Sequence, residues 1–304
     1  MTPPSFLTSR DFLSEKKMIK QHNPIRKYFP IFVLPTLICF ACFFLIPFIM
    51  GIGLSFTNFT TVTDIRGFVG FQNYIKAFTT DKEFIHALRF TSLFTVVAVI
   101  TVNIFAFSLA LLLTKGLKAT NFFRSIFFLP NLIGGIVLGY IWNLLINGVL
   151  LHYFGQDISF KTEYGFWGLV VLTNWQLIGY MMVIYIAGLQ QVPEDLLEAA
   201  QIDGARPLAV LFKIKIPMVM PSITICLFLT LSNSFKMFDQ NLALTAGAPE
   251  KTTEMLALNI YQTFYNRNAN WHGVAQAKAT VFFIIVALIA FLQLKLTTRK
   301  EVES

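Results

Sequence analysis

The sequence predicts an all-α, polytopic membrane protein that crosses the bilayer about six times. Hydrophobic residues make up 55% of the 304 residues and charged residues only 13%, whereas soluble domains usually carry about 25% charged residues. The mean hydropathy is +0.63, and a single aqueous core could not bury all 33 phenylalanines. The apolar residues also cluster in segments of about 20 residues or more, the length that crosses the hydrocarbon layer.

A basic segment, residues 1–29, precedes the first apolar segment. It is longer and more charged than a typical cleaved signal peptide, and no small-residue cleavage site follows the apolar run. A membrane domain is predicted over residues 30–297, and a short tail over residues 298–304. The predicted spans lie at about residues 30–54, 87–114, 121–146, 165–189, 217–238 and 273–296.

Lysine and arginine residues predict the orientation of the chain. If both termini are cytoplasmic, the inner segments carry fifteen of the 24 Lys and Arg residues, and the longer outer segments carry nine. Cytoplasmic segments of membrane proteins carry the excess of positive charge. This orientation places the polar interval 190–216 in the cytoplasm, and it accounts for much of the net charge of +8 without a nucleic-acid partner.

The interval 190–216 is the most polar connection in the second half of the chain. Pro193 suits the first turn of a helix, and Gly204 suits a left-handed stop at its end. On a helical projection Glu198 lies on the polar side, and the two alanines that follow it have so little bulk that another surface could approach the backbone closely. The interval is therefore predicted to form a short amphipathic helix that a partner could contact.

The same interval resembles the EAA loop of the inner-membrane permease subunits of binding-protein-dependent ABC importers. The family pattern is Glu-Ala-Ala, three residues, Gly, nine residues and Ile-x-Leu-Pro. It is matched by Glu198, Ala199, Ala200, Gly204, Ile214, Ile216 and Pro217, with Ile216 in place of Leu as the one departure. We call residues 190–216 the coupling loop. The alternative is a polar helix that only connects two spans.

Nearly the whole chain resembles the carbohydrate-importer permeases of the maltose and glycerol-phosphate type. The resemblance implies a second permease subunit, a dimer of ATP-binding subunits and an extracytoplasmic solute-binding protein, assembled in the bacterial cytoplasmic (inner) membrane. It also implies that Glu198 pairs with a basic residue of the ATP-binding subunit, and that Asp203 stabilises the turn at Gly204. Because the chain has no G-x-x-x-x-G-K-[ST] sequence, ATP and Mg are expected on the partner ATPase, with no cofactor, catalytic residue or metal site on this chain.

Polar residues inside the predicted spans are candidates for a solute path. They include Asn131, and they form two clusters, Asn174, Trp175, Gln176 and Tyr180 in the fourth span and Asn233, Lys236, Asp239 and Gln240 at the outer end of the fifth. For each amide the alternative is a hydrogen bond between helices. Lys236 and Asp239 are three residues apart, a spacing that allows an ion pair. The alternative for this second cluster is a structural role, in which it fixes a loop that faces the binding protein, and Lys236 would contact the solute if the solute is anionic.

These observations predict the permease subunit of an ATP-driven importer that moves a carbohydrate, with an oligosaccharide as the expected solute. An ion-coupled secondary transporter of a small polar solute is the alternative, but it would need ionisable residues near mid-bilayer, and the spans are nearly free of central Asp, Glu or Arg. A membrane-embedded enzyme is disfavoured because His86, His152 and His272 lie near span ends or in loops. The sequence leaves open which carbohydrate is carried and whether it is anionic.

Overall fold

The computed structural model describes residues 24–61, 63–116 and 119–298, which are helical over most of their length. Most of the predicted basic segment 1–29 and of the tail 298–304 therefore lies outside the described residues. The chain divides into two compact units, Met1–Gly53 and Leu54–Ser304. The predicted membrane domain, residues 30–297, contributes to both units.

The first span is a helix with one irregular turn. Helix α1 (Pro24–Phe40) continues through a π-helical turn, Ala41–Leu45, into helix α2 (Ile46–Leu54). The irregular turn lies between Pro35 and Pro47, whose missing N–H groups interrupt regular helical bonding. Tyr28–Leu54 is long and apolar enough to cross a membrane, and its apolar side chains are almost all exposed, as those of a lipid-facing helix would be.

A short β-hairpin and two helices follow. Strands β1 (Thr57–Thr61) and β2 (Asp64–Phe68) pair antiparallel, with Phe59 opposite Ile65. Helix α3 (Gln72–Thr79) leads into helix α4 (Lys82–Leu113). Asp81 caps α4 by accepting a hydrogen bond from the Phe84 N–H at 3.3 Å. This acidic cap explains why the helix begins before residue 87, the start that hydropathy alone predicted.

The predicted third span, residues 121–146, is not one continuous helix. Helix α5 (Thr120–Phe128) ends in a 3-10 turn, Leu129–Leu132, and helix α6 (Gly135–Phe154) begins after Gly134, whose ψ of 142° is extended. Pro130 lacks the N–H that a continuous helix would need, which interrupts the hydrogen-bond ladder at this point. The helix long enough to cross a membrane is therefore Gly135–Phe154, nearer the C-terminus than predicted.

Helix α7 (Thr162–Leu189) is the most buried of the helices that could span a membrane. It packs along α4 and against α5. The approach to α5 is so close that a Cβ on Gly179 would lie 1.7 Å from the carbonyl oxygen of Phe127. Only glycine allows two backbones to meet in this way.

The coupling loop leads into a bent fifth span. Its elements are helix α8 (Glu194–Ile202), helix α9 (Pro207–Val210), a π-helical turn (Leu211–Lys215) and helix α10 (Ile216–Met218). Helix α11 (Met220–Phe235) follows at 72° to the segment Pro207–Met218. The predicted span 217–238 thus runs through a bend, which two flanking prolines, Pro217 and Pro221, favour. Among the described residues, five helices could cross a membrane, or six if the bent pair is one span.

The helices of the last third of the chain pack on the earlier helices. Helix α12 (Asp239–Leu244) packs on α6, and helix α13 (Leu256–Tyr265) packs on the final long helix, α14 (His272–Thr298), after a 3-10 turn, Ala269–Trp271. The connection between α12 and α13 is fixed by Asn241, which donates to the Thr253 carbonyl at 2.8 Å and accepts from the Met255 N–H at 2.9 Å. These bonds hold α13 in a defined position.

Candidate functional site

The helix of the coupling loop ends at a glycine, as predicted. Gly204 has a φ of +71°, and the N–H of Ala205 reaches back to the Ala200 carbonyl at 2.9 Å. This left-handed turn is the common way to satisfy the last carbonyls of a helix. Asp203 is the C-cap residue, and its side chain is exposed and makes no hydrogen bond to any described residue.

One face of α8 is anchored and the other is exposed. Ala200 is buried, and Leu197 packs with Ile214 against the apolar core formed by α4 and α7. Glu198 and Ala199 are exposed on the opposite face. The coupling loop is therefore held firmly by its inner face while it presents its carboxylate to the surroundings.

Large apolar side chains are also exposed on the coupling loop. Ile202 is 87% exposed, Leu208 69% and Phe212 64%. Exposed large apolar side chains are typical of a surface that another protein covers. Pro217, the last predicted residue of the loop motif, is half-buried and lies just before the bend into α11.

A polar cavity of about 500 Å³ lies between α7 and α11. Gln176 and Tyr180, one helical turn apart, line it from α7, and Asn233 lines it from α11. Its full lining is Asn131, Gln176, Leu177, Tyr180, Leu229, Asn233, Lys236, Met237 and Gln240. The cavity therefore combines amide, phenol and ammonium groups with a few apolar side chains. It is more polar than most small-molecule sites, which are lined mainly by apolar side chains.

Most of these polar groups have no hydrogen-bond or ion-pair partner among the described residues, so they are available to a ligand. The Gln240 amide donates to the Gln176 side-chain oxygen at 2.9 Å. Within the described part of the chain, the side chains of Asn131, Tyr180 and Asn233 make no hydrogen bond, and Lys236 makes no ion pair. A membrane protein that leaves several polar groups unpaired around one cavity has room there for a hydrogen-bonding solute.

A family model described as "Binding-protein-dependent transport system inner membrane component" matches residues 113–300, more than half of the chain. The chain belongs to this family. The "Probable starch degradation products transport system permease protein AmyD" of Thermoanaerobacterium thermosulfurigenes is 45% identical over 90% of this chain and 94% of that protein. The "Multiple sugar-binding transport system permease protein MsmF" of Streptococcus mutans is 31% identical over 89% and 95%. The predicted resemblance is confirmed, and the chain is a multi-pass inner-membrane component.

Solved structures confirm the fold. A chain of "a bacterial ABC transporter involved in the import of the acidic polysaccharide alginate" superimposes with a TM-score of 0.75, covering 91% of this chain and 97% of that one. Its sequence is 19% identical to this one. This inner-membrane component therefore has the fold of an ABC transporter permease.

Three predicted solute-path residues do not line the polar cavity of this inner-membrane component. The Asn174 amide donates to the Thr101 hydroxyl at 2.9 Å, the bond between helices that was the alternative for each amide. Trp175 packs edge-on against Trp142, with ring centroids 5.7 Å apart. Asp239 is exposed as the first residue of α12, and no ion pair joins it to Lys236 in the described structure.

The cavity also includes Asn131 and Gln240, two of the polar residues named from the sequence. Asn131 reaches it because the chain leaves the helical path between α5 and α6. Irregular backbone at membrane depth is tolerated where it lines a cavity or is buried in protein. The signal in the sequence was Pro130 followed by Gly134 and Gly135 inside an apolar segment, which marks a helix break.

A buried charge network, also missed from the sequence, joins four segments of the second unit. The ammonium group of Lys278 is 0% exposed and lies 2.7 Å from the Asp81 carboxylate. Arg267 bridges Asp81 at 2.8 Å and Glu83 at 2.7 Å, and Lys251 contacts Glu83 at 2.8 Å. The signal was a lysine inside the last apolar span, since such a charge needs a partner.

Asp81 is the centre of this network. Burial opposes its ionisation, but hydrogen bonds and charges from Lys278 and Arg267 outweigh burial and hold the pKa of Asp81 below its ordinary value. The ionised carboxylate also caps α4. The network therefore ties the start of α4 to the segment that carries α13 and α14.

Proposed function

We propose that this inner-membrane component is the permease subunit of an ATP-driven importer of carbohydrates, with oligosaccharides as its solutes. The printed names of two relatives support the solute class, because they refer to starch degradation products and to multiple sugars. The observation that carries the proposal for this chain is the polar cavity with its unpaired amide and phenol groups.

The chemistry of the cavity fits a sugar. A sugar ring presents many hydroxyl groups, each of which can donate and accept a hydrogen bond, and apolar C–H faces between them. Asn131 and Asn233 offer both donors and acceptors, and Lys236 adds donors only. Leu177 and Leu229 supply apolar surface. The volume of about 500 Å³ is within the range of ordinary small-molecule sites.

Energy enters through the coupling loop in this proposal. The anchored face of α8 transmits movement to the core of α4 and α7, and the exposed face around Glu198 receives an ATP-binding subunit. Glu198 pairs with a basic residue of that subunit, and the exposed side chains of Ile202, Leu208 and Phe212 fill an apolar surface on it. The partner subunits bind and hydrolyse ATP with Mg, and this chain performs no covalent chemistry.

The assembly contains a second permease subunit, two ATP-binding subunits and an extracytoplasmic solute-binding protein. Both termini and the coupling loop face the cytoplasm, as the distribution of Lys and Arg favours. The solute passes from the binding protein into the polar cavity and then to the cytoplasm. Gln176, Tyr180, Asn233 and Lys236 are the predicted path residues that remain in this proposal.

The test is a co-purified assembly in nanodiscs with its solute-binding protein and a panel of neutral glucans, raffinose-type sugars, uronic-acid oligosaccharides and glycerol phosphate. A carbohydrate is expected to stimulate ATP hydrolysis, and Asn233→Ala is expected to raise its KM for transport. Asn268→Ala, which changes an exposed asparagine outside the cavity, serves as the control and should leave the KM unchanged.

Two results would contradict this function. One is stimulation of ATP hydrolysis by glycerol phosphate alone, which would show that the solute is not a carbohydrate. The other is uptake that continues when ATP is depleted and the proton gradient is held, because an ATP-driven importer stops under those conditions.

A further inference from the structure

A second pocket, which we call the aromatic cleft, lies between α13 and the first turns of α14. Its volume is about 510 Å³. It is lined by Phe238, Ile260, Tyr261, Phe264, Tyr265 and Gln276, with three small alanines between them. Because alanines occupy positions where larger side chains would fill the space, the rings stand around an open volume.

Three rings form a continuous series along the aromatic cleft. The ring centroids of Tyr265 and Tyr261 are 4.6 Å apart, and those of Tyr261 and Phe238 are 5.1 Å apart. Tyr265 is 66% exposed, Tyr261 is 42% exposed and Phe238 is half-buried. The series therefore runs from the surface of the protein inwards.

Free polar groups accompany these rings. Within the described residues, the hydroxyl groups of Tyr261 and Tyr265 and the side-chain amide of Gln276 make no hydrogen bond, and no charged side chain lines the cleft. A purely apolar occupant such as a lipid chain would leave these groups unsatisfied wherever it excluded water from them. A neutral molecule with flat apolar faces and hydroxyl groups at its edges would satisfy both the rings and the free groups.

The aromatic cleft and the polar cavity are lined by neighbouring residues of one segment. Phe238, at the inner end of the series of rings, directly follows Lys236 and Met237, which line the polar cavity. The same short segment between α11 and α12 is thus part of the wall of both pockets. An oligosaccharide bound in the cleft beside Phe238 would therefore lie next to the segment that carries Lys236, two residues away along the chain.

The cleft is preorganised by groups behind it. On the opposite face of α13, Lys278 donates to the Asn259 side-chain oxygen at 2.9 Å and to the Thr263 hydroxyl at 2.7 Å. The ring of Phe264 stacks on His272 at 4.4 Å, and Nδ1 of His272 lies 2.7 Å from the Thr60 carbonyl oxygen. Because these side chains are already fixed, ligand binding does not have to order them, and this lowers the entropic cost of binding.

We propose that the aromatic cleft is an entry subsite, where a neutral sugar ring of the incoming oligosaccharide stacks on Tyr265 and Tyr261 before it moves past Phe238 into the polar cavity. The inference rests on the proposed function. It adds a site for a second part of the same solute, so a chain of several sugar units would occupy the cleft and the cavity together.

The probe is maltotetraose, a neutral glucose oligomer, with the whole assembly in nanodiscs and a saturating concentration of solute-binding protein. The variant Tyr261→Leu/Tyr265→Leu removes both rings and both hydroxyl groups but keeps apolar bulk. We expect it to raise the KM for maltotetraose transport about tenfold, in the range that the loss of stacking contacts produces. The conservative Tyr261→Phe/Tyr265→Phe variant keeps the rings and should raise the KM less.

The matched control is Tyr153→Leu, which changes a tyrosine that is 73% exposed at the end of α6 and lines neither pocket. It should leave the KM unchanged. The inference is overturned if wild-type protein transports maltotetraose and the Leu/Leu variant has the same KM, or if Tyr153→Leu raises the KM equally. It is also overturned if, in a separate titration of the solute-binding protein, the variant changes only the concentration of that protein needed, because the cleft would then contact that protein.

If the wild-type assembly transports no maltotetraose but does transport another carbohydrate, the proposed function stands and an entry subsite for neutral glucose rings is overturned. If no carbohydrate on the panel is transported, the proposed function fails and the inference fails with it. The two failures are therefore distinguishable.

Discussion

At the scale of single residues, Lys278 shows what makes a buried ammonium group tolerable. Its three N–H donors reach Asp81, Asn259 and Thr263, each within 2.9 Å, and it lies 5.2 Å from the centre of the Phe84 ring. Every hydrogen bond that a lysine can make is made. A buried pair of this kind adds little net stability by its presence, but removal of one partner is costly because the other remains buried.

We therefore predict that Lys278→Met lowers the free energy of unfolding by about 3 kcal/mol or more, because Asp81 loses a partner while it stays buried. The measurement is thermal unfolding of the purified protein in nanodiscs. Lys251→Met is the matched control, since Lys251 is 43% exposed and its pair with Glu83 is worth about 0–1 kcal/mol. Equal melting temperatures for the two variants would show that the buried network does not contribute this much to stability.

The sequence predicted some local features and missed others for a physical reason. The left-handed turn at Gly204 could be predicted because the spacing lies within one short loop, and local spacing is visible in a single chain. Lys278 pairs with Asp81, 197 residues earlier, and no local pattern connects the two. Asn174 faces Thr101 across a helix contact, and the sequence could not tell that contact from a solute path.

At the scale of elements, hydropathy predicted where apolar segments lie but not where they break. The segment 121–146 is apolar throughout, yet it contains the end of α5, a 3-10 turn and the start of α6. The fifth span bends by 72° for a similar reason, because prolines flank the bend. Hydropathy averages over a window of residues, whereas a single missing N–H decides where a helix ends.

Helix α5 meets the backbone of α7 where Phe127 approaches Gly179. Gly179→Ala is predicted to destabilise the protein by about 1–3 kcal/mol, because the new Cβ overlaps the Phe127 carbonyl oxygen and α5 must move. The measurement is unfolding in mixed micelles. The variant should also raise the KM for solute, because the movement of α5 displaces Asn131 and Tyr180.

Gly148→Ala is the matched control for this element. Gly148 lies inside α6 with nothing within 4 Å of an added Cβ, so alanine should be neutral or stabilising by up to about 1 kcal/mol. Similar behaviour of the two variants would mean that α5 moves away from α7 at little cost, so the close contact does not require glycine.

At the scale of the whole molecule, composition and spacing were enough to predict the fold class and the family. Low charge and long apolar segments require a membrane, and the loop pattern around Glu198 supplies the resemblance that the family match confirms. The polar cavity and the aromatic cleft could not be predicted in the same way. The polar cavity is built from side chains that are distant in sequence, and the aromatic cleft depends on how two consecutive helices pack.

The orientation of the molecule gives the last prediction. The coupling loop must face the cytoplasm, and the segment that carries Lys251 must face outwards, if the proposed assembly is correct. Glu198 and Lys251 are both exposed, so a cysteine at either position can be labelled. Native Cys39, Cys42 and Cys226 are first replaced by serine or alanine to give a background without thiols.

In intact right-side-out vesicles, a membrane-impermeant maleimide should label Lys251→Cys and should label Glu198→Cys only after the membrane is permeabilised. The two variants control each other, because each reports on the side that the other does not reach. Labelling of Glu198→Cys in intact vesicles would place the coupling loop outside. No cytoplasmic ATPase could then bind it, and the path from ATP hydrolysis through α8 to the polar cavity would not exist in this protein.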